Sequence, residues 1–431
     1  MAEEQLKTKS FTTIVTILSL TLFFAPIATS QVQGPVSITF NSKSDFGPVV
    51  SADGSKVAFW SDLDGDPEIY VMNNEGTGLR QLTFNTANDT APSISGDGGK
   101  VAFQADVGGP DFEIFVINSD GSGLLRLTSN NDEDMQPSLS SDGLTVAFIS
   151  TGALDPAGSN PEGDAEIFVM RTDGTGIRQL TSNAADDTSP SISAQGSRIA
   201  YQSASLASSE IFIVNSDGTG RTRLTNNVDD DVSPSISANG GKVAFSSTGP
   251  AILAPPLATL ANRIADAANP YEIFIVNSDG SGLNQLSSTL GDNFEPSLSG
   301  DGTRVAYVST GDGDREIFIV DSDGRGLTQI TNNLAFDFEP SISHSGGIVV
   351  FSSNLDGDFD IFRASLSICV LQGDANADGA VNILDLAIIG SSFGTRIGSP
   401  GYRSEADLNN DGSVDILDLA IVGMNFGQAC P

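Results

Sequence analysis

The chain has 431 residues, of which 55 are acidic and 20 basic, so its formal net charge is −35. This excess of acid argues against nucleic acid or an anionic membrane as partner, because both attract basic surfaces. The length predicts several domains or one large repeat architecture, and the 46 glycines favour turn-rich β structure over a disordered acidic chain.

Residues 1–30 have the pattern of an export signal. Two lysines precede an apolar run from Phe11 to Phe24, and small residues follow as far as Ser30. The alternative is an uncleaved membrane anchor, although the run is short for a span and Pro26 interrupts it. We therefore expect a secreted or cell-surface protein with no membrane span after removal of the signal.

Between residues 48 and 362 one sequence unit recurs seven times. Its first motif, P-S-[IL]-S-x-x-G-x-x-[VI]-A-[FY], begins with small departures at Pro48, Pro92, Pro137, Pro190, Pro234, Pro296 and Pro340. Its second motif, E-I-[FY], begins at Glu68, Glu113, Glu166, Glu210, Glu272, Glu316 and, with aspartate in place of glutamate, Asp360. A third motif, N-S-D-G-[ST]-G-L-x-x-L-T, ends with small departures at Thr83, Thr128, Thr181, Thr225, Ser287 and Thr331.

Each unit is predicted to form four short strands, because turn residues such as Asp-Gly separate its apolar stretches. A period of 44 or 45 residues in four of the six intervals is typical of a β-propeller blade. The seventh unit lacks a fourth strand, whereas residues 36–41 match the fourth-strand residues 80–85 of the first unit. We therefore expect seven blades, with the N-terminal strand completing the seventh and closing the ring.

These motifs resemble the TolB-type, WD-like propeller repeat over about residues 35–365. The resemblance implies a β-propeller fold. It leaves the function open, because propellers of this type serve as partner-binding modules, peptidase gates and ligand platforms.

One face of the predicted propeller carries most of the variation between blades. The two long insertions, 152–165 and 249–270, lie between second and third strands, and the connections from one blade to the next emerge on the same face. Those connections carry Asp89, Asp132, Glu133, Asp134, Asp186, Asp187, Asp229, Asp230, Asp231, Asp292, Glu295, Asp337 and Glu339. Two interpretations remain open: a solvated acidic rim, or a binding face for a cationic ligand, a basic peptide or a Ca²⁺-bridged glycan.

Further Ca²⁺ ions in the propeller are a second open question. Asp62, Asp64, Asp66 and Glu68 alternate along one connection, and residues 354–360 repeat the pattern. Such Asp-Gly runs are either turns or Ca²⁺ ligands.

Near the C-terminus, residues 374–385 and 407–418 share one acidic twelve-residue pattern. Each copy has oxygen-bearing side chains at positions 1, 3, 5, 9 and 12 and glycine at position 6, an arrangement that wraps oxygens around Ca²⁺. Position 7 contributes its carbonyl. The predicted ligands are Asp374, Asn376, Asp378, Ala380, Asn382 and Asp385 in the first loop, and Asp407, Asn409, Asp411, Ser413, Asp415 and Asp418 in the second.

Residues 373–427 resemble a type I dockerin, in which each loop is followed by a short helix. Aspartate at position 12 and the lack of an entering helix distinguish the pattern from an ordinary EF-hand. The resemblance implies a small all-α domain that holds two Ca²⁺ ions and docks to a cohesin-like protein. In dockerins, loop positions 10 and 11 contact the cohesin, which here are Ile383, Leu384, Ile416 and Leu417. A Ca²⁺-stabilised terminal domain with no cohesin partner is the alternative.

The two cysteines of the chain, Cys369 and Cys430, bracket the twin loops. In an exported protein they are predicted to form a disulfide that staples this small domain, and two unrelated thiols are the alternative. Zinc is not expected, because two cysteines and one histidine do not complete a tetrahedral site.

The predicted organisation is an export signal (1–30), a seven-bladed propeller (31–368) and a dockerin (369–431), mainly β overall. We expect a secreted, non-catalytic binding or scaffold protein. Its propeller binds an unknown ligand or protein at the acidic face, and its dockerin tethers it to an extracellular or cell-surface complex linked to polysaccharide catabolism. The alternative is an extracellular polysaccharide-active hydrolase or lyase that uses carboxylates of that face. No pair of carboxylates stands out from the repeat, so no catalytic residue is predicted.

Overall fold

The computed structural model describes residues 31–106, 111–156, 158–204, 208–249, 270–289, 291–311, 313–367, 373, 375, 381–403, 406–409 and 411–428. The chain divides into two compact units, one formed by Ser30–Val370 and one that contains Leu371–Cys430. The export signal predicted at residues 1–30 lies outside the described residues.

The larger unit consists of seven four-stranded antiparallel sheets. Blades 1 and 2 contain β2 (Asp45–Val50), β3 (Lys56–Ser61), β4 (Glu68–Asn73), β5 (Arg80–Gln81), β6 (Asp89–Ile94), β7 (Lys100–Asp106), β8 (Phe112–Asn118) and β9 (Leu125–Arg126). Blades 3 and 4 contain β10 (Asp134–Leu139), β11 (Thr145–Ser150), β12 (Glu166–Arg171), β13 (Arg178–Gln179), β14 (Asp187–Ile192), β15 (Arg198–Ala204), β16 (Ser209–Asn215) and β17 (Thr222–Arg223). Blades 5 and 6 contain β18 (Asp231–Ile236), β19 (Lys242–Ser247), β20 (Glu272–Asn277), β21 (Asn284–Gln285), β22 (Asn293–Leu298), β23 (Arg304–Ser309), β24 (Glu316–Asp321) and β25 (Thr328–Gln329). Blade 7 contains β26 (Asp337–Ile342), β27 (Ile348–Ser353), β28 (Asp360–Ser367) and β1 (Gln31–Ser37).

The N-terminal strand closes the ring, which confirms the prediction of seven blades. Strand β1 pairs antiparallel with β28, the third strand of blade 7. The backbone N–H of Ile361 donates to Thr39 Oγ1 at 2.9 Å, just as the N–H of Ile69 donates to Thr83 Oγ1 in blade 1. The first strands of neighbouring blades contact one another all the way round, so no first strand is left without neighbours.

The repeat motifs form the core and the joints between blades. The Val-Ala-[FY] residues of each second strand are buried, and their aromatic rings stack on the ring of the third-strand E-I-[FY] motif, as in Phe148 on Phe168 at 5.8 Å. The first serine of P-S-[IL]-S joins neighbouring blades, since Ser93 Oγ accepts the N–H of Leu139 at 2.9 Å. Core packing and hydrogen bonds between blades are enough to explain why the motif residues recur in every blade, without any functional role.

Each first strand carries a β-bulge just before the proline of P-S-[IL]-S, where the register against the second strand shifts. The bulge residue has a positive φ in every blade, at Gly47, Ala91, Gln136, Ser189, Ser233, Glu295 and Glu339. In several blades its N–H donates to a side chain of the preceding blade, for example from Ser189 to Gln136 Oε1 at 2.8 Å. The bulge therefore aims a backbone donor across the joint.

The smaller unit contains two helices, α1 (Ile383–Ser392) and α2 (Ile416–Asn425). Each begins with a capping box, formed by Asn382 with Asp385 and by Asp415 with Asp418. Its core consists of Val381, Ile389, Ala406, Val414 and Val422, all fully buried. None of the helices in the described part of the chain is long and apolar enough to span a membrane.

Candidate metal centre and ligand-binding face

In the second acidic loop the side-chain oxygens turn inward onto the loop's own backbone. Asp418, at position 12, is fully buried, and its two oxygens accept the N–H groups of Leu408 and Asp415, both at 2.8 Å. Asp407, at position 1, accepts the N–H of Gly412 at 2.8 Å and the Tyr402 hydroxyl at 2.8 Å. The first and last ligand positions are thus fixed by the fold of the loop.

The described part of the first loop has the same geometry. Asp385 accepts the N–H of Ala375 and of Asn382, both at 2.8 Å, which matches Asp418 in the second loop. The predicted ligands Asp374, Asn376, Asp378 and Ala380 lie outside the described residues. Cys369 and Cys430, and with them the predicted disulfide, lie outside the described residues as well.

The donor set of the second loop fits a hard cation. Asp407, Asn409, Asp411 and Asp415 supply carboxylate and amide oxygens, and Ser413 supplies a carbonyl, the ligand types that Ca²⁺ takes from a twelve-residue loop. Among the described residues no three His, Cys, Asp or Glu side chains are already gathered closely enough to hold a metal ion. In this structure the oxygens of the candidate Ca²⁺ ligands accept hydrogen bonds from the loop itself. Binding of Ca²⁺ would replace some of these hydrogen bonds with bonds to the ion.

The four residues predicted to contact a partner are exposed. Ile383 and Leu384 at the start of α1 are 66% and 49% exposed, and Ile416 and Leu417 at the start of α2 are 65% and 54% exposed. Large apolar side chains with this exposure at equivalent positions of two helices form two similar hydrophobic patches. Such patches mark protein–protein contacts in soluble proteins.

In the propeller, the structure buries a pair of polar side chains at each joint between blades, and in six of the seven pairs both members are acidic. The sequence did not predict this burial. A pair consists of the acidic residue of an E-I-[FY] motif and the first residue of the next blade's first strand, and is called here a junction pair. The seven junction pairs are Glu68–Asp89, Glu113–Asp134, Glu166–Asp187, Glu210–Asp231, Glu272–Asn293, Glu316–Asp337 and Asp360–Asp45, all buried. One sequence signal marks them: an asparagine four residues before the second member in six of the seven pairs.

The junction pair of blades 2 and 3 shows the common arrangement. Asn130 bridges it, with its N–H donating to Glu113 Oε1 at 2.9 Å and its side-chain amide to Asp134 Oδ2 at 2.8 Å. Arg126 forms an ion pair with Glu113 at 2.6 Å. Glu113 Oε2 and Asp134 Oδ1 are buried with no hydrogen-bond partner. A buried carboxylate oxygen with no hydrogen-bond donor favours the protonated form of its carboxyl group, so we expect this pair to hold a proton.

Burial raises the pKa of several junction-pair carboxyls. It raises the pKa of Asp134 to about 7, and the nearby Glu113 carboxylate adds to the rise. Burial likewise raises the pKa of Glu166 and of Glu316 to about 7. Carboxyl groups with such pKa values can act as general acids, but their recurrence at successive joints indicates a structural role.

The structure divides the acidic residues of the predicted face into two sets. The last acidic residue of most connections is a junction-pair member and is buried, as at Asp89, Asp187 and Asp231. The exposed carboxylates that remain on the connections include Asp132, Asp186, Asp230 and Asp292. The acidic rim is therefore sparser than the sequence suggests.

In the Asp-Gly run of blade 1 three of the four carboxylates accept hydrogen bonds from the protein, whereas Asp66 Oδ2 is buried with no hydrogen-bond partner. The N–H of Ser44 donates to Asp62 at 3.2 Å, the side chain of Gln81 to Asp64 at 2.5 Å and the N–H of Asn85 to Glu68 at 2.6 Å. These bonds favour the turn interpretation of the run.

Two family models match the chain. The TolB β-propeller domain matches residues 21–155, 157–254 and 250–380, and the type I dockerin domain matches residues 372–426. Type I dockerin domains bind calcium, dock to cohesins and occur typically on extracellular or cell-surface proteins. No curated protein matches the sequence.

Several solved structures share the fold. An oligogalacturonate lyase from Vibrio parahaemolyticus gives a TM-score of 0.58 at 13% identity, covering 79% of this chain and 99% of that one. The β-propeller domain of the Trilobed protease from Pyrococcus furiosus gives 0.54 at 13% identity, covering 76% and 97%. A puromycin-hydrolyzing peptidase from Mycobacterium tuberculosis gives 0.55 at 16% identity, covering 78% and 52%. At these identities the likeness extends to the fold alone.

Proposed function

Because the chain belongs to the TolB β-propeller family and carries a type I dockerin domain, we propose that it is a secreted, non-catalytic binding protein. Its propeller binds a ligand or protein, and its dockerin, loaded with two Ca²⁺ ions, tethers it to a cohesin-like partner in an extracellular or cell-surface complex. A link to polysaccharide catabolism belongs to this proposal. The proposed domains are an export signal over 1–30, the propeller over 31–368 and the dockerin over 369–431.

The observation that carries the docking role is the doubled apolar patch at the helix starts. The patches Ile383–Leu384 and Ile416–Leu417 follow the capping residues Asn382 and Asp415, whose side chains accept the N–H groups of Leu384 and Leu417, each at 2.8 Å. The caps hold both patches in one backbone conformation. Either patch therefore offers a preformed surface that loses little entropy on binding.

Docking is tested with the full-length chain and a panel of purified type I cohesin modules, by biosensor binding in Ca²⁺ and in excess EDTA. We expect one or more cohesins to bind in Ca²⁺ only. Because the two patches are alike, changing Ile383 and Leu384 to serine and threonine is expected to weaken binding only a few-fold. The same change in both patches is expected to abolish it.

A matched control changes the exposed Leu79 of the propeller to serine, which removes a similar apolar area outside the smaller unit. The proposal fails if no cohesin binds in a Ca²⁺-dependent manner, or if the doubly changed chain binds as the wild type does. Circular dichroism verifies that the variants keep their helices.

The alternative is a polysaccharide-active hydrolase or lyase on the acidic propeller face. Its main support is the raised pKa of several junction-pair carboxyls. Similar pairs recur all round the propeller, however, whereas an enzyme of this kind needs a single active site. Turnover of a glycan that is abolished by one carboxylate substitution on this face would decide for the enzyme.

A further inference from the structure

A cavity of about 370 Å³ opens beside blade 2. Its floor includes the rings of Phe103 and Phe115, stacked with their centroids 5.5 Å apart, and Leu124 lies at its edge. Asp106 supplies a carboxylate to the lining, which also includes the fully buried Asp89. The cavity thus combines an aromatic surface with negative charge, the features that select an organic cation.

Blade 4 contains the same structural position, but there the chain fills it. Tyr201 and Phe212, the repeat equivalents of Phe103 and Phe115, stack 5.7 Å apart. The residue equivalent to Leu124 is Arg221, and its guanidinium carbon lies 4.7 Å from the Phe212 ring centroid and 5.8 Å from that of Tyr201. In this blade the protein itself places a guanidinium over the ring pair.

Electrostatics support the equivalence of the two positions. Asp187 of blade 4 corresponds to Asp89 of blade 2, since Asp187 lies opposite Ser203 and Asp89 opposite Ala105 in their sheets. Burial raises the pKa of Asp187, and the positive charge of Arg221 opposes that rise. Both blades also have an ion pair to the glutamate of the E-I-[FY] motif, Arg126–Glu113 and Arg223–Glu210. Both blades have the ring pair and the acidic residue beside it, but blade 2 has no counterpart of the Arg221 guanidinium.

Blade 3 fills the position in another way. There Leu154, from the insertion between the second and third strands, packs with Ile177 against the cluster that contains Phe148 and Phe168. Apolar side chains thus suffice to cover a ring pair in this repeat. Blade 2 instead leaves its rings beside a cavity and adds a carboxylate, Asp106, where blade 4 has Ala204.

We propose that the blade-2 cavity binds the guanidinium group of an arginine side chain presented by a partner protein, as Arg221 occupies the equivalent position of blade 4. The planar guanidinium stacks on Phe115 and faces Asp106. Lysine suits the site less well, because a compact ammonium is more strongly hydrated and does not stack. The inference rests on the proposed ligand-binding role of the propeller and is independent of the dockerin.

The test uses the full-length chain and N-acetyl-L-arginine methylamide as probe, with the lysine and citrulline analogues beside it, in saturation-transfer NMR. We expect the arginine probe to bind at least about fivefold more tightly than the neutral citrulline probe, as one cation–π contact predicts. Leu124→Arg, which copies blade 4 at a position already 56% exposed, is expected to abolish this binding. Arg221→Leu is expected to free a second ring pair, which binds the probe more weakly than blade 2 because Ala204 stands there in place of Asp106.

Leu327→Arg is the matched control, because it adds the same charge at the same repeat position of blade 6, where the leucine is 54% exposed. This variant keeps the wild-type signal if the site is in blade 2. Equal binding of the arginine and citrulline probes, or binding that survives Leu124→Arg, overturns the inference. Thermal unfolding of Leu124→Arg excludes misfolding as the cause of lost binding. Excess EDTA abolishes cohesin docking but leaves probe binding unchanged, so failure of one proposal is distinct from failure of the other.

Discussion

At the scale of single residues, six of the seven junction pairs bring two buried carboxyl groups together, where two negative charges would be costly. The chain contains its own comparison. In six pairs the second member is aspartate, but at the joint of blades 5 and 6 it is Asn293, whose amide donates to Glu272 Oε2 at 2.9 Å. The amide of Asn293 thus donates a hydrogen bond to Glu272. A pair of carboxyl groups can form such a bond only when one of the two is protonated.

Asp134→Asn is therefore expected to make the propeller less sensitive to pH. The folded-state pKa of Asp134, about 7, lies above its unfolded value, so folding takes up a proton between about pH 4 and pH 7. The stabilisation of the folded chain by this proton is complete below pH 4 and is lost as the pH rises to 7. The asparagine needs no proton, so it is expected to stabilise the chain by about 1 kcal/mol at pH 8 and by little at pH 5. Urea unfolding at both pH values measures this.

Asn293→Asp is the reciprocal control. It creates a seventh pair of carboxyl groups at the joint of blades 5 and 6, and we expect it to destabilise the propeller at pH 8 and to leave it nearly unchanged at pH 5. If Asp134→Asn destabilises the chain equally at both pH values, the junction pair does not hold a proton.

At the scale of elements, the bulge in each first strand imposes a left-handed backbone on seven residues, six of which are not glycine. At Gly47 glycine adopts the conformation freely, whereas Ala91 adopts it with a φ of 50°. The bulge recurs because the fold of the repeat requires it at this position, whichever residue the sequence supplies.

Ala91→Gly is expected to stabilise the chain by about 0.5–1 kcal/mol, because relief of the left-handed strain exceeds the entropy that glycine loses on folding. Gly47→Ala is the opposite change at the same position of blade 1. It is expected to destabilise, since a Cβ there would lie 3.1 Å from the Trp60 ring and the φ stays positive. Chemical denaturation measures both variants. An Ala91→Gly chain less stable than the wild type would contradict the argument.

The sequence was sufficient for those features that depend on repetition. Seven motif copies, with a fourth strand missing at one end and present at the other, predicted the blade number and the closure of the ring through β1. The junction pairs were missed, because the asparagine four residues before Asp134 is the one sequence feature that separates it from Asp132, and the meaning of that asparagine is clear only from its hydrogen bonds to both members of the pair. The blade-2 cavity was equally hidden, since Leu124 and Arg221 are both unremarkable turn residues until their positions over equivalent ring pairs are known.

At the scale of the whole molecule, the two units use their acidic residues differently, within a net charge of −35. The propeller buries many of its carboxylates, whereas the small unit places carboxylates in loops that can bind a cation. Among its described residues the small unit has a core of five fully buried side chains, whereas the propeller has a hydrophobic cluster between each two neighbouring blades. A domain with so little core depends on its bound ion for stability. The two units should therefore respond differently to Ca²⁺.

We expect chelation to unfold α1 and α2 while the propeller stays folded. Ca²⁺ at about 1,000 times its Kd stabilises the state that binds it by about 4 kcal/mol, a large share of a small domain's stability. Trp60, the single tryptophan, stacks on Phe46 at 4.7 Å and reports on the propeller alone, whereas helical ellipticity at 222 nm reports mainly on the small unit. Excess EDTA should lower the thermal midpoint of the helical signal by many degrees and leave that of Trp60 fluorescence unchanged.

Asp374→Ala with Asp407→Ala should produce the same separation in Ca²⁺, whereas Asp230→Ala, which removes an exposed propeller carboxylate, should not. A common midpoint for both signals that shifts with Ca²⁺ would mean that the ion stabilises the propeller as well, and would place Ca²⁺ sites in its Asp-Gly connections.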